Sequence, residues 1–395
     1  MKHIIDGCIE ELTGSCVKGF ARSINDHDLR WTVEVYSGDR LLGSAVADEF
    51  NDDLLARGKG DGYYAFTFNF PPELKEPKDI SARLKGTDVV LPLSHKAKTL
   101  FYIRKNGEIL KTFSDEVWNA SLNFIFCIDG NYSRHFLVSL VSILENHKNR
   151  NIIIHLIYEK LEIEDIQVIE KISDKYKFFI NLIDLTGKVQ INNLPVSRYY
   201  SAAVYFKLLI PELMPRGLKK VLFLDADVVL NGNIERIFDI GIDGYYVAAV
   251  EDEEIMLSIG NVRKRLLMAD EANYFNSGVM MINIKKWREE GLKDKTVDFI
   301  IKNLYRLSIF DQDALNAVIG GNWRPLEAKY NLQKTGYMER NYKSAYPEED
   351  YKESKLNPLI IHYVSVNKPW QFLNRHPYKE LYWKYLYEIN VDICK

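Results

Sequence analysis

The stretch VLFLDADVVL, residues 221–230, predicts an open α/β sheet with an acidic pair at its edge. Val221 to Leu224 form an apolar run typical of a buried parallel strand. Asp225 and Asp227 follow, and residues two apart on an extended chain point to the same side, so both carboxylates face one ligand. Such a pair suits a hard divalent cation that also binds a diphosphate. The alternative is that the two acids merely cap a following helix.

The composition limits the function to a few classes. The chain has 395 residues, of which 47% are hydrophobic and 27% charged, as in soluble globular proteins with room for two domains. A formal net charge of −3 argues against a general nucleic-acid binder and favours small anions held by local positive groups. Neither a signal peptide nor a membrane span is evident, so we expect a cytoplasmic protein. The four cysteines form no CxxC pair and indicate reduced thiols.

The hydrophobic pattern divides the chain into successive regions. In residues 1–105, short alternating runs such as WTVEVY and YYAFTFNF predict a small all-β, sandwich-like domain, with the aromatic side chains mostly in its core. Residues 106–120 are predicted to be a linker. In residues 121–370, apolar strands alternate with amphipathic helices, which predicts an α/β domain with a mostly parallel sheet. Residues 371–395 form an aromatic and basic tail.

Polar residues follow the first strand of the α/β region in the segment CIDGNY. Ligands of open α/β sheets bind beyond the carboxyl ends of the strands, so Asp129 and Asn131 are placed to bind a nucleobase edge and Tyr132 to stack on it. An Asp/Asn turn that caps the next helix is an equally good interpretation.

Three later segments add polar candidates. In YFNSGVMM, Asn276 offers a donor and an acceptor to a hydroxyl-rich substrate, and Gly278 allows close approach to the backbone. In FDQDALNAV, the acids stand at the start of a predicted helix, where the helix dipole also favours them. In HYVSVNKPW, His362 is a candidate metal ligand and Lys368 a candidate phosphate partner. Each segment alone is also compatible with an ordinary structural role.

Together, the segments resemble glycosyltransferase family 8, the retaining enzymes that include bacterial lipopolysaccharide galactosyl- and glucosyltransferases and the glycogenins. The resemblance covers roughly residues 123–370, and it rests on five motifs in the right order: CIDGNY, SAAVYFKLLIPELMP with VLFLDADVV, MADEANYFNSGVMMINIKKW, FDQDALNAV and HYVSVNKPW. It implies a GT-A fold, in which a Rossmann-like sheet binds a UDP-sugar and the DxD motif binds Mn²⁺ or Mg²⁺.

The resemblance also implies roles for individual residues. The implied metal ligands are Asp225, Asp227 and His362. The implied nucleotide-binding residues are Asp129, Asn131, Tyr132, Lys207, Ser365 and Lys368, the last of which contacts the diphosphate. The implied contacts to the donor sugar are Asp270, Asn276 and Asp311, with Gln312 on its reacting face and Asp313 as a second candidate nucleophile.

Two positions depart from the family pattern. Lys207 stands where bacterial members usually have an arginine, which keeps the charge but loses the bidentate fork. Ser365 replaces the glycine of the HxxGxxKPW motif, where a backbone amide is still expected to reach a phosphate.

The resemblance implies transfer of a hexose, galactose or glucose, from a UDP-sugar to a glycan or glycolipid in the synthesis of lipopolysaccharide, capsule or another surface glycan. A strand-end DxD also occurs in haloacid-dehalogenase-type phosphatases, with Asp225 as nucleophile and Asp227 as acid, and a non-catalytic sugar- or nucleotide-binding protein is a further alternative.

The tail, with Tyr382, Trp383 and Tyr387, is interpreted either as a peripheral contact with the inner face of the membrane or as packing on the catalytic domain.

Overall fold

The computed structural model describes residues 3–13, 15–72, 79–94, 97, 107–187, 194, 202–333, 347–364, 366–372 and 374–390. The chain forms two compact units, Met1–Lys105 and Asn106–Lys395. Cys8, Cys16 and Cys127 are free thiols, whereas Cys394 lies outside the described residues.

The first unit consists of two antiparallel sheets around a main apolar core. One sheet has the order β1-β2-β6-β5 and the other β4-β3-β7. The strands are β1 (Ile5–Leu12), β2 (Cys16–Ser23), β3 (Thr32–Ser37), β4 (Arg40–Val46), β5 (Glu49–Phe50), β6 (Tyr63–Asn69) and β7 (Ile80–Leu84), with one short helix, α1 (Asp52–Ala56). Val17, Val33 and Phe66 contribute to the core from both sheets, as the alternating pattern requires. The predicted all-β region is confirmed.

The aromatic residues of this unit belong mainly to its interior. Tyr64 is buried and donates a hydrogen bond to the backbone oxygen of His27 (3.0 Å). Trp31 packs against the core cluster, whereas Tyr63 is half-exposed. This arrangement favours a core role over a flat sugar-binding platform.

The second unit is built on a seven-stranded sheet with the order β10-β9-β8-β11-β14-β13-β15. All neighbours are parallel except β14, which is antiparallel to β11 and β13, so the predicted mostly parallel α/β sheet is confirmed. Its strands are β8 (Leu122–Asp129), β9 (Ile152–Glu159), β10 (Phe179–Asp184), β11 (Lys220–Leu224), β13 (Val247–Glu251), β14 (Phe275–Asn283) and β15 (Arg324–Pro325). A separate ribbon pairs β12 (Val228–Leu230) with β16 (Ile360–His362).

Helices lie between the strands of this unit, as the alternation of strand and helix patterns predicts. They are α2 (Asp115–Ala120), α3 (Ser133–Asn146), α4 (Ile163–Tyr176), α5 (Ile210–Leu213), α6 (Arg236–Asp239), α7 (Glu253–Met256), α8 (Ile259–Leu266), α9 (Ile284–Glu289), α10 (Leu292–Asn303), α11 (Phe310–Ile319), α12 (Glu348–Leu356) and α13 (Lys379–Glu388). Helix α11 ends at Gly320, whose φ of +63° gives the left-handed C-cap that glycine favours. No helix among the described residues has the length and apolar character needed to cross a bilayer.

Both flanking segments of the predicted catalytic region pack into the second unit. Leu110 and Trp118, in the segment 106–120 predicted as a linker, are buried in its main core, so this segment is part of the unit. In helix α13, Tyr382 is buried with its hydroxyl 2.7 Å from His135 Nδ1. Tyr385 is also buried and lies within hydrogen-bonding distance of Asn146. The tail therefore packs on helix α3, one of the two arrangements that its sequence allows.

Candidate active site

Two strand pairings assemble the predicted metal ligands at one edge of the large sheet. Asp225 directly follows β11, and its N–H donates to the backbone oxygen of Gly278 on the antiparallel neighbour β14 (2.8 Å). Asp227 directly precedes β12, in which Val228 lies opposite His362 of β16. Ala226 and Asp227 form a turn, so the two aspartates converge because the turn keeps both at this edge, and not because the chain is extended there.

Asp225, Asp227 and His362 form a group suited to a metal ion. One potential ligand atom from each residue lies within 4.8 Å of those of the other two. His362 Nε2 is 3.3 Å from Asp227 Oδ1 and 3.8 Å from Asp225 Oδ2. Two carboxylates and an imidazole fit Mn²⁺ well, whereas Mg²⁺ more often takes oxygen ligands alone. The side chain of Asp225 is 37% exposed, so a ligand reaches the group from solvent on that side.

Gly278 makes room for this group. A Cβ atom at this position would lie 2.2 Å from His362 Cε1 and 2.6 Å from Asp225 Oδ2, which is closer than real Cβ contacts. The sequence suggested that this glycine admits a ligand to the backbone. In the structure it allows two of the predicted metal ligands to lie against strand β14.

The charges around the acidic pair shift the pKa values of its two members in opposite directions. Burial opposes ionisation of Asp227, but the Lys368 ammonium outweighs it and holds the pKa of Asp227 well below its usual range. The Lys368 ammonium contacts Asp227 Oδ2 directly. Partial burial and the neighbouring charge of Asp227 raise the pKa of Asp225, against the lowering effect of Lys207. A bound cation would favour the ionised form of both acids.

Lys207 lies beneath the acidic pair in a buried ion pair. Its Nζ is 2.6 Å from Asp311 Oδ2 and 3.8 Å from Asp225 Oδ1, and it donates to Ser277 Oγ (3.3 Å). Burial alone would lower the pKa of Lys207, but the two carboxylates raise it above its usual value, so the ammonium stays charged. Lys207 therefore neutralises carboxylates at the floor of the site.

Gln312 belongs to a buried network of amides and carboxylates beside this floor. Its Oε1 accepts from the N–H of Ser277 (2.8 Å), and its Nε2 donates to Asp252 Oδ2 (2.9 Å). The same oxygen of Asp252 accepts from Asn276 Nδ2 (3.0 Å). The structure thus brings the predicted residues Gln312 and Asn276 together through Asp252, which the sequence did not reveal.

Asp313 makes its own set of contacts beside this network, and these contacts argue against its prediction as a second nucleophile. Its carboxylate is fully buried and pairs with Arg265 (2.8 Å). It also accepts hydrogen bonds from the Tyr274 hydroxyl (2.7 Å) and from the N–H groups of Ser308 and Ile309 (2.6 and 3.0 Å). A carboxylate with this many partners stabilises the start of helix α11 and is not available for attack.

The segment predicted to bind the nucleobase lies at the exposed end of β8. Asp129 Oδ1 accepts from the N–H of Asn131 (3.0 Å), which is the turn interpretation, and Tyr132 is partly exposed. The Tyr132 ring lies edge-on to Trp370, with ring centroids 6.3 Å apart. The first and last motifs are therefore neighbours, and the side chain of Asn131 points to solvent.

Among the residues that it describes, the structure gives no site contacts for two further predicted positions. Asp270 is exposed on the loop before β14, and Ser365 lies outside the described residues. Among the residues that the sequence missed, Asp252 directly follows strand β13, and this strand-end position is the signal that could have identified it. Asn331, which contacts His362, has no comparable signal.

Comparisons with known proteins match the α/β region of the chain. The model of glycosyl transferase family 8 matches residues 123–374. General stress protein A of Bacillus subtilis is 28% identical over 270 residues, which cover 67% of this chain and 93% of that protein. A lipopolysaccharide 1,2-glucosyltransferase of Escherichia coli is 31% identical over 255 residues, which cover 63% of this chain and 73% of that protein.

A solved structure supports the fold. The galactosyltransferase LgtC, crystallised with donor and acceptor sugar analogs, aligns with a TM-score of 0.60 at 22% identity over 67% of this chain and 95% of its own. The GT-A-type α/β fold of the second unit is therefore confirmed. Since the family model matches more than half of the residues, the chain is a glycosyltransferase that belongs to glycosyl transferase family 8.

Proposed function

We propose that this enzyme transfers a hexose, galactose or glucose, from a UDP-sugar to a bacterial surface glycan or glycolipid with retention of the anomeric configuration. The observation that carries the proposal is the convergence of Asp225, Asp227 and His362 beside Lys368. A divalent cation at this group, Mn²⁺ or Mg²⁺, supplies positive charge to the departing diphosphate. The acceptor class is supported by the Escherichia coli relative, whose name assigns it to lipopolysaccharide.

Two lysines have different electrostatic roles in this proposal. Lys368 contacts Asp227, so its ammonium is placed to share its charge with a diphosphate beside the acidic pair. Lys207 is buried against Asp311 and Asp225. We propose that it keeps the floor of the site close to neutral, a role that lysine fills without the bidentate fork of arginine.

The buried network argues for front-face attack. The amide of Gln312 is nearly neutral, and both its oxygen and its nitrogen are already hydrogen-bonded, so it is a poor nucleophile. In front-face attack, the acceptor hydroxyl forms the new bond to the anomeric carbon as the bond to UDP breaks. The hydroxyl proton passes to the leaving phosphate oxygen, so no protein base is required. Gln312, Asn276 and Asp252 then serve to hold the donor sugar.

A panel of UDP-sugars with Mn²⁺ tests this function. We expect slow release of UDP from the correct donor without acceptor, faster release with acceptor, and a product with the donor's anomeric configuration by NMR. A haloacid-dehalogenase-type phosphatase would release inorganic phosphate, and a non-catalytic binder would release neither. Inversion at the anomeric carbon would contradict the retaining mechanism.

Peripheral membrane contact through the tail stays a prediction. Helix α13 buries Tyr382 and Tyr385 but leaves Trp383 and Tyr387 exposed. Sedimentation with liposomes of anionic lipid checks the prediction, and a Trp383→Ser, Tyr387→Ser variant is the control. Protein that stays in the supernatant would contradict it.

A further inference from the structure

Asn331 lies directly behind the histidine of the metal group. Its side chain is fully buried, with Oδ1 3.1 Å from His362 Nδ1 and Nδ2 3.0 Å from Asn276 Oδ1. The backbone holds it there, because the N–H of His362 donates to the oxygen of Leu332 (3.0 Å). Asn331 therefore connects a metal ligand to the network that contains Gln312.

Two neighbours with unambiguous hydrogen-bonding roles, a backbone N–H and a carboxylate, fix the orientation of the Asn276 amide. The N–H of Gly278 can only donate, and it lies 3.1 Å from the Asn276 atom that must therefore be Oδ1. The Asp252 carboxylate accepts at the other end of the amide, which must therefore be Nδ2. The opposite orientation would place two donors face to face at one end and two acceptors at the other.

The orientation of Asn276 determines the tautomer of His362. Because Asn276 Oδ1 accepts, Asn331 presents Nδ2 to it and Oδ1 to the histidine. An amide oxygen only accepts, so the proton of the neutral imidazole is on Nδ1. The lone pair of Nε2 is then directed towards the carboxylates of Asp225 and Asp227. Three acceptors that converge without a proton between them favour a cation.

We propose that Asn331 is a positioning residue that fixes His362 as the Nδ1-protonated tautomer, so that Nε2 is presented to the cation. The proposal rests on the metal role of His362 in the proposed function. Partners that orient a ligating histidine in this way typically contribute about 10- to 100-fold to metal affinity.

The chain contains a matched control in Asn123 and His155. Asn123 is buried, and its Nδ2 donates to the backbone oxygens of Trp118 (2.7 Å) and Ser121 (2.9 Å). Its Oδ1 therefore accepts from His155 Nε2 (3.2 Å), which requires the opposite tautomer. This pair has the same residue types and burial but no part in the metal group.

Mn²⁺ binding to the full-length protein, measured by electron paramagnetic resonance, tests the proposal. We expect Asn331→Ala to weaken binding by about 10- to 100-fold and Asn123→Ala to leave it within about twofold, the scatter expected for a change that touches no ligand. Equal affinity of Asn331→Ala and wild type would overturn the proposal.

A second measurement requires no variant at position 331. In metal-free protein labelled with ¹⁵N-histidine, ring correlations at pH 8 identify the protonated nitrogen, and loss of signals in His362→Gln assigns them. We expect Nδ1–H for His362 and Nε2–H for His155; Nε2–H at His362 would overturn the proposal. If wild type binds no Mn²⁺, the metal role itself fails, and the NMR result still decides the tautomer.

Discussion

The second unit contains two Asp-x-Asp pairs with the same spacing and different outcomes. Asp225 and Asp227, at the end of a strand, both belong to the metal group. Asp311 and Asp313, in the first turn of helix α11, separate: the first pairs with a lysine at the floor of the site and the second with an arginine outside it. The same sequence pattern therefore places two carboxylates in the site at one position and one carboxylate at the other.

Local structure accounts for the difference. A helix turns by about 100° per residue, so side chains two apart face nearly opposite directions. The strand-end pair forms the first and last residues of a short connection between β11 and β12, where both side chains stay at one edge of the sheet. Spacing thus indicates shared chemistry only when the backbone conformation is known as well.

The largest effect is expected from the strand-end pair. Asp227→Asn removes one negative charge from the metal group and so weakens its hold on the cation. The cation is worth several kcal/mol of transition-state stabilisation, so we expect kcat/KM to fall by roughly 10³-fold. We expect the fold to persist, so circular dichroism and the unfolding midpoint serve as controls beside the rate. Transfer at the wild-type rate in this variant would contradict the metal role.

The next effect concerns the space behind the pair. Gly278→Ala places a methyl group against His362 Cε1 and Asp225 Oδ2, so both side chains must move. Displacement of reacting groups by about 1 Å costs roughly 10²-fold in rate. The matched control is Gly260→Ala, where an added Cβ meets no atom within 4 Å. Equal rates for the two variants would show that the close packing does not matter.

A smaller effect is expected at the helix-start residue that lies in the site. Asp311→Asn leaves the Lys207 ammonium with Asp225 as its remaining carboxylate partner, so the lysine competes with the cation. We expect Mn²⁺ affinity to fall roughly tenfold, about 1.4 kcal/mol.

The double variant Asp311→Asn, Lys207→Met sharpens this prediction. Without the ammonium the competition disappears, so Mn²⁺ affinity is expected to recover. A double variant as weak as Asp311→Asn would indicate that the carboxylate acts by another route.

Much of the fold was accessible from sequence because its signals are local. The strands β8 and β11 are nearly continuous apolar runs, as expected for strands buried on both faces, and β14 contains such a run in residues 279–282. The alternating runs of the first unit are also a local signal, and they indicated antiparallel sheets. The segment 106–120 was less accessible, because Leu110 and Trp118 are single core contacts without a periodic pattern.

The site was accessible only in part, because its geometry depends on contacts distant in sequence. His362 was predicted from its motif, yet the pairing of β12 with β16 is what places it beside Asp227. Asn331 reaches His362 through a bridge between Leu332 and Ile361 that no local pattern announces. The partners of Asp313 could not be predicted, because the acidic helix start gives no information about Arg265 and Tyr274.

The smallest effect on catalysis is expected at Asp313, where the comparison of the two pairs is most directly tested. Asp313→Asn removes the charge that pairs with Arg265, whose side chain is 29% exposed, and it disturbs the hydrogen bond from Tyr274. Breaking a buried pair costs about 3–5 kcal/mol, and the partial exposure of the arginine reduces this to about 2–3 kcal/mol. Urea unfolding should show this loss, while kcat per folded molecule should stay within about twofold because the carboxylate reaches Gln312 only through the Tyr274 hydroxyl. A large fall in kcat with unchanged stability would instead assign Asp313 to the chemistry and make the two pairs equivalent.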